Sequence, residues 1–245
     1  MQSGAWRFRR ISRWLATLAS AFAVSVAPAA GLSVTPTSLD LSSAPVQALW
    51  LSNTGNAVLD AQVRVFDWSQ ADGDERLMPS RALAISPPMI KLQPGQRQLI
   101  RVIRAATVTA GESSYRILVD ELPDPTQTQQ GLQFVMQFSI PVFVTASTTA
   151  AAALDWRLSL VDGKPVLISE NHGGRRAKIS DLELLDAQGR RLLRREGLLG
   201  YTLAGADRVW PLALDPQKAL QASEVQARIN GEAVRQTLRA RTDAP

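Results

Sequence analysis

Along most of this chain apolar and polar residues alternate one for one, and the alternation is cut at short intervals by turn residues. A period of two cannot line one side of a helix; it lines one face of a strand. Leu59 to Trp68 (LDAQVRVFDW) shows it most clearly. Val46 to Leu51 leads into the turn residues Ser52-Asn53-Thr54-Gly55-Asn56. Leu83 to Ser86 is stopped by Pro87-Pro88, and the turn Leu92-Gln93-Pro94-Gly95-Gln96 precedes Gln98 to Arg104 (QLIRVIR). Tyr115 to Leu122 and Leu132 to Val144 complete this half. About seven short strands in about 115 residues, with no amphipathic helix between them, predict an antiparallel sandwich of immunoglobulin-like size.

Thr145 to Ala153 (TASTTAAAA) is small and low in complexity and reads as a linker. Beyond it the pattern resumes at Trp156–Leu160, Val166–Ser169 and Ala177–Leu185, with turns at Asp162-Gly163-Lys164-Pro165, Asn171-His172-Gly173-Gly174 and Gln188-Gly189. Residues 200–214 and 224–239 add further strands. The expected fold class is all-β, two immunoglobulin-like β-sandwich domains in series, over 31–148 and 149–245.

Residues 1–30 have the three-part layout of a secretory leader. Met1 to Arg13 is basic, Trp14 to Val26 is apolar, and Ala27-Pro28-Ala29 offers small residues for cleavage after Ala29 or Ala30. The apolar run, about thirteen residues, falls short of the roughly 20 that span a bilayer. The expectation is export to a periplasm, without stable membrane insertion. A pI of about 10.2 suggests nucleic acid until the charges are placed. The chain carries 27 Lys plus Arg against 22 Asp plus Glu. Four of the arginines (Arg7, Arg9, Arg10, Arg13) lie in the leader, which holds no acid, and 23 against 22 remain. No nucleic-acid partner is expected.

The absence of cysteine excludes disulfides, thiolate nucleophiles and Cys-ligated metals. A single histidine, His172, excludes a His metal cluster, and it sits in a turn. There is no G-x-S-x-G elbow, Walker loop or H-E-x-x-H. Asp72, Asp74 and Glu75 lack the spacing of a calcium loop and read as a solvated hairpin turn. Arg190, Arg191, Arg194 and Arg195 have no interleaved aromatics and read as a solvated edge. No enzymatic activity, metal or cofactor is expected.

Leu132 to Ile140 (LQFVMQFSI) is harder to reduce to structure. Leu132, Phe134, Met136, Phe138 and Ile140 share one face, and Val135 lies on the other between Gln133 and Gln137. The pattern fits a central strand buried on both sides. It fits equally an edge strand that lends its apolar row to a partner.

Three stretches, Ser86-Pro87-Pro88-Met89-Ile90-Lys91-Leu92-Gln93-Pro94-Gly95-Gln96, Glu112 to Pro123 (ESSYRILVDELP) and Ile140-Pro141-Val142-Phe143-Val144, resemble the periplasmic pilus-assembly chaperones. The likeness covers about 31–240, with Asn171 and Tyr201-Thr202-Leu203-Ala204-Gly205 in the second half. Ser-Tyr-Arg and Asp-Glu-Leu-Pro are similar to the archaic branch of spore-coat-type pili. The resemblance implies a boomerang of two immunoglobulin-like domains holding fimbrial subunits that lack their last strand. It implies donor-strand complementation, in which the last strand of the first domain, about 131–144 here, fills the subunit's groove through Leu132, Phe134, Met136 and Phe138. It implies delivery to an outer-membrane usher.

The family also grips the subunit's terminal carboxylate with basic side chains in the interdomain cleft. Here its arginine position falls on Ser38 and its lysine position on Pro141. If Tyr115–Leu122 and Leu132–Val144 pair about a loop centred near 126–127, Arg116 lies opposite residues near 137–139 and is the replacement anchor. Lys91, Arg101 and Arg104 are further candidates. The short connection from Pro123 to Gln130 matches the short-loop chaperones. Partners so implied are pilus or fimbrial subunits and the usher, with self-association through the donor edge as a further expectation. The alternative reading is a secreted or surface β-sandwich adhesin or binding module.

Overall fold

The computed structural model describes residues 31–105, 108, 110–123 and 134–239. The expected leader, Leu132 and the connection from Asp124 to Gln130 lie outside them. The described chain is nearly all strand. Its first half contains β1 (Leu32–Thr35), β2 (Leu39–Asp40), β3 (Val46–Asn53), β4 (Leu59–Ala71), β5 (Asp74–Pro79), β6 (Leu83–Ser86), β7 (Met89–Leu92), β8 (Arg97–Arg104), β9 (Glu112–Leu122) and β10 (Gln137–Thr145). One sheet has the order β1-β3-β8-β6, and the sheet packed on it has the order β2-β10-β9-β4-β5, with β7 also paired to β4.

Alternation in the sequence becomes alternation in burial. Leu59, Ala61, Val63 and Val65 of β4, Ile117 and Val119 of β9, and Ile140, Val142 and Val144 of β10 enter one apolar core with Leu49, Leu51, Ile100 and Val102 of the facing sheet. Toward its end β4 changes use. Asp67 and Ser69 are exposed, while Trp68 and Gln70, on the opposite face, are buried. They are covered by the second half of the chain, so one strand serves two contacts with its two faces.

The second half forms another sandwich. Its strands are β11 (Leu154–Val161), β12 (Lys164–Asn171), β13 (Ala177–Asp186), β14 (Arg191–Thr202), β15 (Asp207–Pro211), β16 (Ala222–Ile229) and β17 (Glu232–Thr237). The sheets run β11-β12-β15 and β14-β13-β16-β17 around Trp156, Leu167, Ile179, Leu184 and Trp210. A single helical turn, α1 (Pro216–Ala219), interrupts the strands and is capped by Asp215, whose carboxylate accepts from the backbone N–H groups of Gln217 and Lys218.

Three details differ from the expectations. The last strand of the first half begins at Gln137, because the ladder with β9 ends there. The Asp72–Glu75 hairpin is not simply solvated: the Gly73 carbonyl accepts from Val209 N at 3.2 Å and from Arg208 Nη1 at 2.6 Å. The Thr145–Ala153 segment is held in place rather than free. Ala146 N and Thr149 Oγ1 both donate to the Gly111 carbonyl at 2.9 Å. Farther on, a Cβ at Gly173 would lie 2.1 Å from the Ala151 carbonyl oxygen, so only glycine admits the chain there.

Candidate functional site

In its sheet β10 is fully paired on one side only. Nine residues run antiparallel to β9, from Gln137 opposite Asp120 to Thr145 opposite Glu112. On the other side β2 meets only Val142 and Phe143, in parallel. Gln137 to Pro141 therefore present an edge with no ladder partner among the described residues. Such an edge is a template for another chain.

That edge leads directly into exposed apolar side chains. Phe134 is 75% exposed, Val135 49% and Met136 38%. By strand parity Phe134 and Met136 share a face with Phe138, Ile140, Val142 and Val144. Ile140, Val142 and Val144 are buried in the core of the first sandwich, and Phe138 is half-buried against it. One continuous face thus begins outside the molecule and ends inside it, with Phe138 at the join. Leu132, expected to head the row, lies outside the described residues.

At its other end β10 enters the contact between the sandwiches. Phe143 packs with Trp68 of β4 and with Tyr201 and Leu203 of the second sandwich. The ring centroids of Trp68, Phe143 and Tyr201 are 5.6 to 5.9 Å apart. Gln70 bridges the halves: its Nε2 donates to the Tyr201 carbonyl and its Oε1 accepts from Leu203 N, both at 2.8 Å. The Glu112 carboxylate is fully buried and accepts from Arg176 N at 2.8 Å, from the Arg176 guanidinium and from Thr145 Oγ1 at 2.7 Å. The Arg176 guanidinium also stacks on Phe143, 3.7 Å from the ring centroid.

Beside this contact lies an open cleft of about 750 Å³. Its first-sandwich wall includes Ser38, Asp40 and Thr145; its second-sandwich wall includes Arg175, Arg176, Lys178 and Asn230, with Phe143 and Tyr201 between. Burial would raise the Asp40 carboxyl, but hydrogen bonds from Ser42 and the charge of Arg176 outweigh it and hold the group below its usual value. Burial pushes the Tyr201 phenol up, against the charges of Arg116 and Arg176. The cleft is net positive, and its cations come from the second sandwich.

Residues 31–149 match the family described as pili and flagellar-assembly chaperone, PapD N-terminal domain. The chain belongs to the pilus-assembly chaperones. Solved structures share the fold across most of its length. A chain of the CsuC–CsuE chaperone–tip adhesion subunit pre-assembly complex, from archaic chaperone–usher Csu pili of Acinetobacter baumannii, is 22% identical, with a TM-score of 0.66 over 84% of this chain and 97% of that one. A chain of the Salmonella enterica SafA pilin in complex with the SafB chaperone gives 15%, 0.59, 84% and 96%. The Pseudomonas aeruginosa CupB2 chaperone gives 16%, 0.54, 84% and 98%. A search of the curated proteins finds no match. The family is one of chaperones rather than of enzymes.

In the chaperone the four basic residues singled out from the sequence do not gather. Arg116 lies opposite Pro141, farther toward the second sandwich than the expected 137–139. Its guanidinium stacks 3.7 Å from the Trp68 ring centroid, lies 6.0 Å from that of Tyr201, and its Nη2 stands 3.8 Å from Glu75 Oε1. The side chain is only 14% exposed. Burial pulls the guanidinium below its usual value, while the Glu75 carboxylate and Tyr201 act the other way. Lys91 pairs with Asp60 at 3.6 Å, and Asp60 stands opposite Leu122 at the end of β9 remote from Glu112. Arg101 and Arg104 belong to β8, in the facing sheet. Neither these three nor Arg116 lines the cleft.

Arg175, Arg176 and Lys178 carry no sequence signature. They follow the Asn171 turn, and only tertiary packing against β2 and β10 brings them to the cleft. Glu112 and Gln70 escaped notice for the same reason. The family's two basic positions are occupied as the sequence indicated: Ser38 lines the cleft and Pro141 is buried in β10.

Proposed function

We propose that this protein is a periplasmic chaperone that captures pilus or fimbrial subunits by donor-strand complementation and delivers them to an outer-membrane usher. The observation that carries the reading is the unpaired edge of β10 continued by Phe134 and Met136. A subunit lacking a strand exposes an apolar groove flanked by two open ladders, and a strand with an apolar face closes both at once. Backbone hydrogen bonds to Gln137–Pro141 supply affinity. Phe134 and Met136 enter the groove, Leu132 extends the row, and Phe138 is shared between the two cores. Each large side chain so buried contributes roughly 1.5–3 kcal/mol before the costs of association. No cofactor and no catalysis are required.

The subunit's terminal carboxylate would lie at the cleft end of the edge. Pro141 stands between the edge and Arg116 and carries no polar side chain, so a chain paired along β10 passes within reach of the Arg116 guanidinium. Arg175, Arg176 and Lys178 supply the positive field around it. Ser-Tyr-Arg and Asp-Glu-Leu-Pro support placement in the archaic branch. Domains of 31–148 and 149–245, with 1–30 as a removed leader, complete the reading. Self-association through the same edge would be the free state's way of covering it.

The test is periplasmic co-expression with the subunit encoded beside this gene. Wild type should co-purify one-to-one with that subunit, and Phe134→Arg with Met136→Arg should abolish the complex while the chaperone stays folded. A subunit equally soluble and unbound without the chaperone would defeat the proposal and favour a surface binding module.

A further inference from the structure

The exposed apolar row is held at its root in an unusual way. The regular ladder between β9 and β10 ends at Asp120 and Gln137. One residue farther out, Glu121 N donates to the Met136 carbonyl at 2.8 Å, as a ladder would require. The Met136 N–H donates to the Glu121 carboxylate instead, with Oε2 at 3.1 Å. A side chain therefore takes the place of a backbone acceptor at the last pair. On the opposite face of β9, the Asp120 carboxylate accepts from the Gln137 side-chain amide and from Arg64 Nε and Nη2 at 3.0 and 2.8 Å. Two consecutive acidic residues, on opposite faces of one strand, thus grip two consecutive residues of its neighbour.

We propose that Glu121 and Asp120 are positioning residues that hold Met136 and Gln137 extended before a subunit arrives. The inference rests on the donor-strand reading for its purpose, though not for its geometry. Phe134 and Met136 have no apolar neighbour holding them out, and the hydrophobic effect favours their collapse onto the chaperone's own surface. A collapsed row would have to be freed and straightened during capture. Holding its root extended removes part of that ordering cost in advance, which is what preorganisation does for binding. Glutamate suits position 121 because its carboxylate reaches one residue past the end of the paired backbone. Arg64 fixes the orientation of the Asp120 carboxylate that receives Gln137.

Three variants decide the matter. Glu121→Ala removes the surrogate acceptor, Glu121→Gln keeps an acceptor oxygen without the charge, and Asp120→Ala releases Gln137 and Arg64 together. Two quantities are read on the full-length mature chaperone: amide hydrogen exchange at Met136 and Gln137, and the rate of capture of the denatured subunit from the neighbouring gene. Expected are exchange about tenfold faster and capture about three- to tenfold slower in both alanine variants, with Tm nearly unchanged. Glu121→Gln should restore both quantities for position 121. Unchanged exchange at Met136 in Glu121→Ala would overturn the inference, as would faster exchange with capture at the wild-type rate, or failure of Glu121→Gln to rescue. If wild type itself captures no subunit, the functional reading fails, whereas the exchange data still judge the clamp.

Discussion

The Phe143 ring of β10 packs 5.6 Å from the ring of Tyr201, across the boundary between the two sandwiches. Ten residues or fewer separate Phe143 from Phe134 and Met136, at the exposed start of the same strand. The strand offered to a subunit is therefore anchored at its far end to the second sandwich. Truncation at this contact should be costly. Phe143→Ala should destabilise the chaperone by about 3–5 kcal/mol, as removal of a buried aromatic does. Tyr201→Ala should cost less in the first sandwich but should loosen the interdomain contact. Urea unfolding followed by tryptophan fluorescence checks both, because Trp68 touches both rings. A single unchanged transition in Phe143→Ala would refute the role assigned to the contact.

Glu112 and Arg176 make the second bolt. The carboxylate is fully buried and draws on the side chain and backbone of Arg176 as well as on Thr145. Removing one partner of a buried pair leaves the other charge uncompensated, at about 3–5 kcal/mol. Arg176→Ala should cost at the upper end, since Glu112 would be stranded in the interface and Phe143 would lose its stacked cation. Glu112→Gln should be milder, because an amide can still accept from Arg176 N. Thermal unfolding of the two variants gives the order, and the reverse order would contradict it.

Acid should weaken the fold through carboxylates held below their usual range. Asp40 is one, by hydrogen bonds from Ser42 and the Arg176 charge acting against burial. Glu170 is another, chiefly by its hydrogen bond from Arg157, with the charges of Arg157, His172 and Arg239 adding to it. A carboxyl whose folded pKa lies below its unfolded one contributes stability above the unfolded value, near 4. That contribution disappears as pH falls through the folded value. The urea midpoint should therefore hold between pH 7 and 5 and drop below about pH 4. Asp40→Asn with Glu170→Gln should flatten that drop; an equal drop in wild type and double variant would exclude these groups as its source.

Gly73 is where the first sandwich's hairpin meets the second. Its φ is +78°, and a Cβ there would stand 2.4 Å from Val209 Cγ2. Gly73→Ala must therefore both strain the turn and push Val209, at roughly 1 kcal/mol or more. Gly95 also has positive φ, +74°, but a Cβ there would meet nothing within 4 Å. Gly95→Ala isolates the backbone cost, and the difference in Tm between the two variants reports the steric part at the interface.

The alternating runs revealed the strands because each had one face in a core and one in water. Leu59 to Val65 of β4 is the plainest case. The same rule failed where a strand changes neighbours. Trp68 and Gln70 break the odd-numbered burial of β4 because a second sandwich covers its other face, and no local pattern announces a domain contact. The apolar row from Phe134 to Ile140 was visible, but its division was not. Whether Phe138 faces a partner or the chain's own core depends on how far the facing sheet extends. The cations were least legible. A lone Arg or Lys on a strand looks alike in sequence whether it lines a cleft, as Lys178 does, or pairs with a local acid, as Lys91 does.

Charges at different depths should act on different steps of capture. Arg175 and Lys178 are exposed on the cleft wall, so they act through the field that an approaching carboxylate meets. Arg175→Ser with Lys178→Ser should slow association, more so at low salt, and leave dissociation nearly unchanged. Arg116 is mostly buried between Trp68 and Glu75, so a carboxylate reaching it is gripped in a desolvated site. Arg116→Ala should accelerate dissociation by about tenfold or more with little effect on association. It should also lower Tm modestly, because Trp68 loses its stacked cation. Stopped-flow association and competition-chase dissociation at two salt concentrations separate the two sets. A subunit amidated at its C-terminus should dissociate equally fast from wild type and Arg116→Ala. If amidation makes no difference to wild type, the carboxylate is not what Arg116 holds, and its role reduces to packing between the sandwiches.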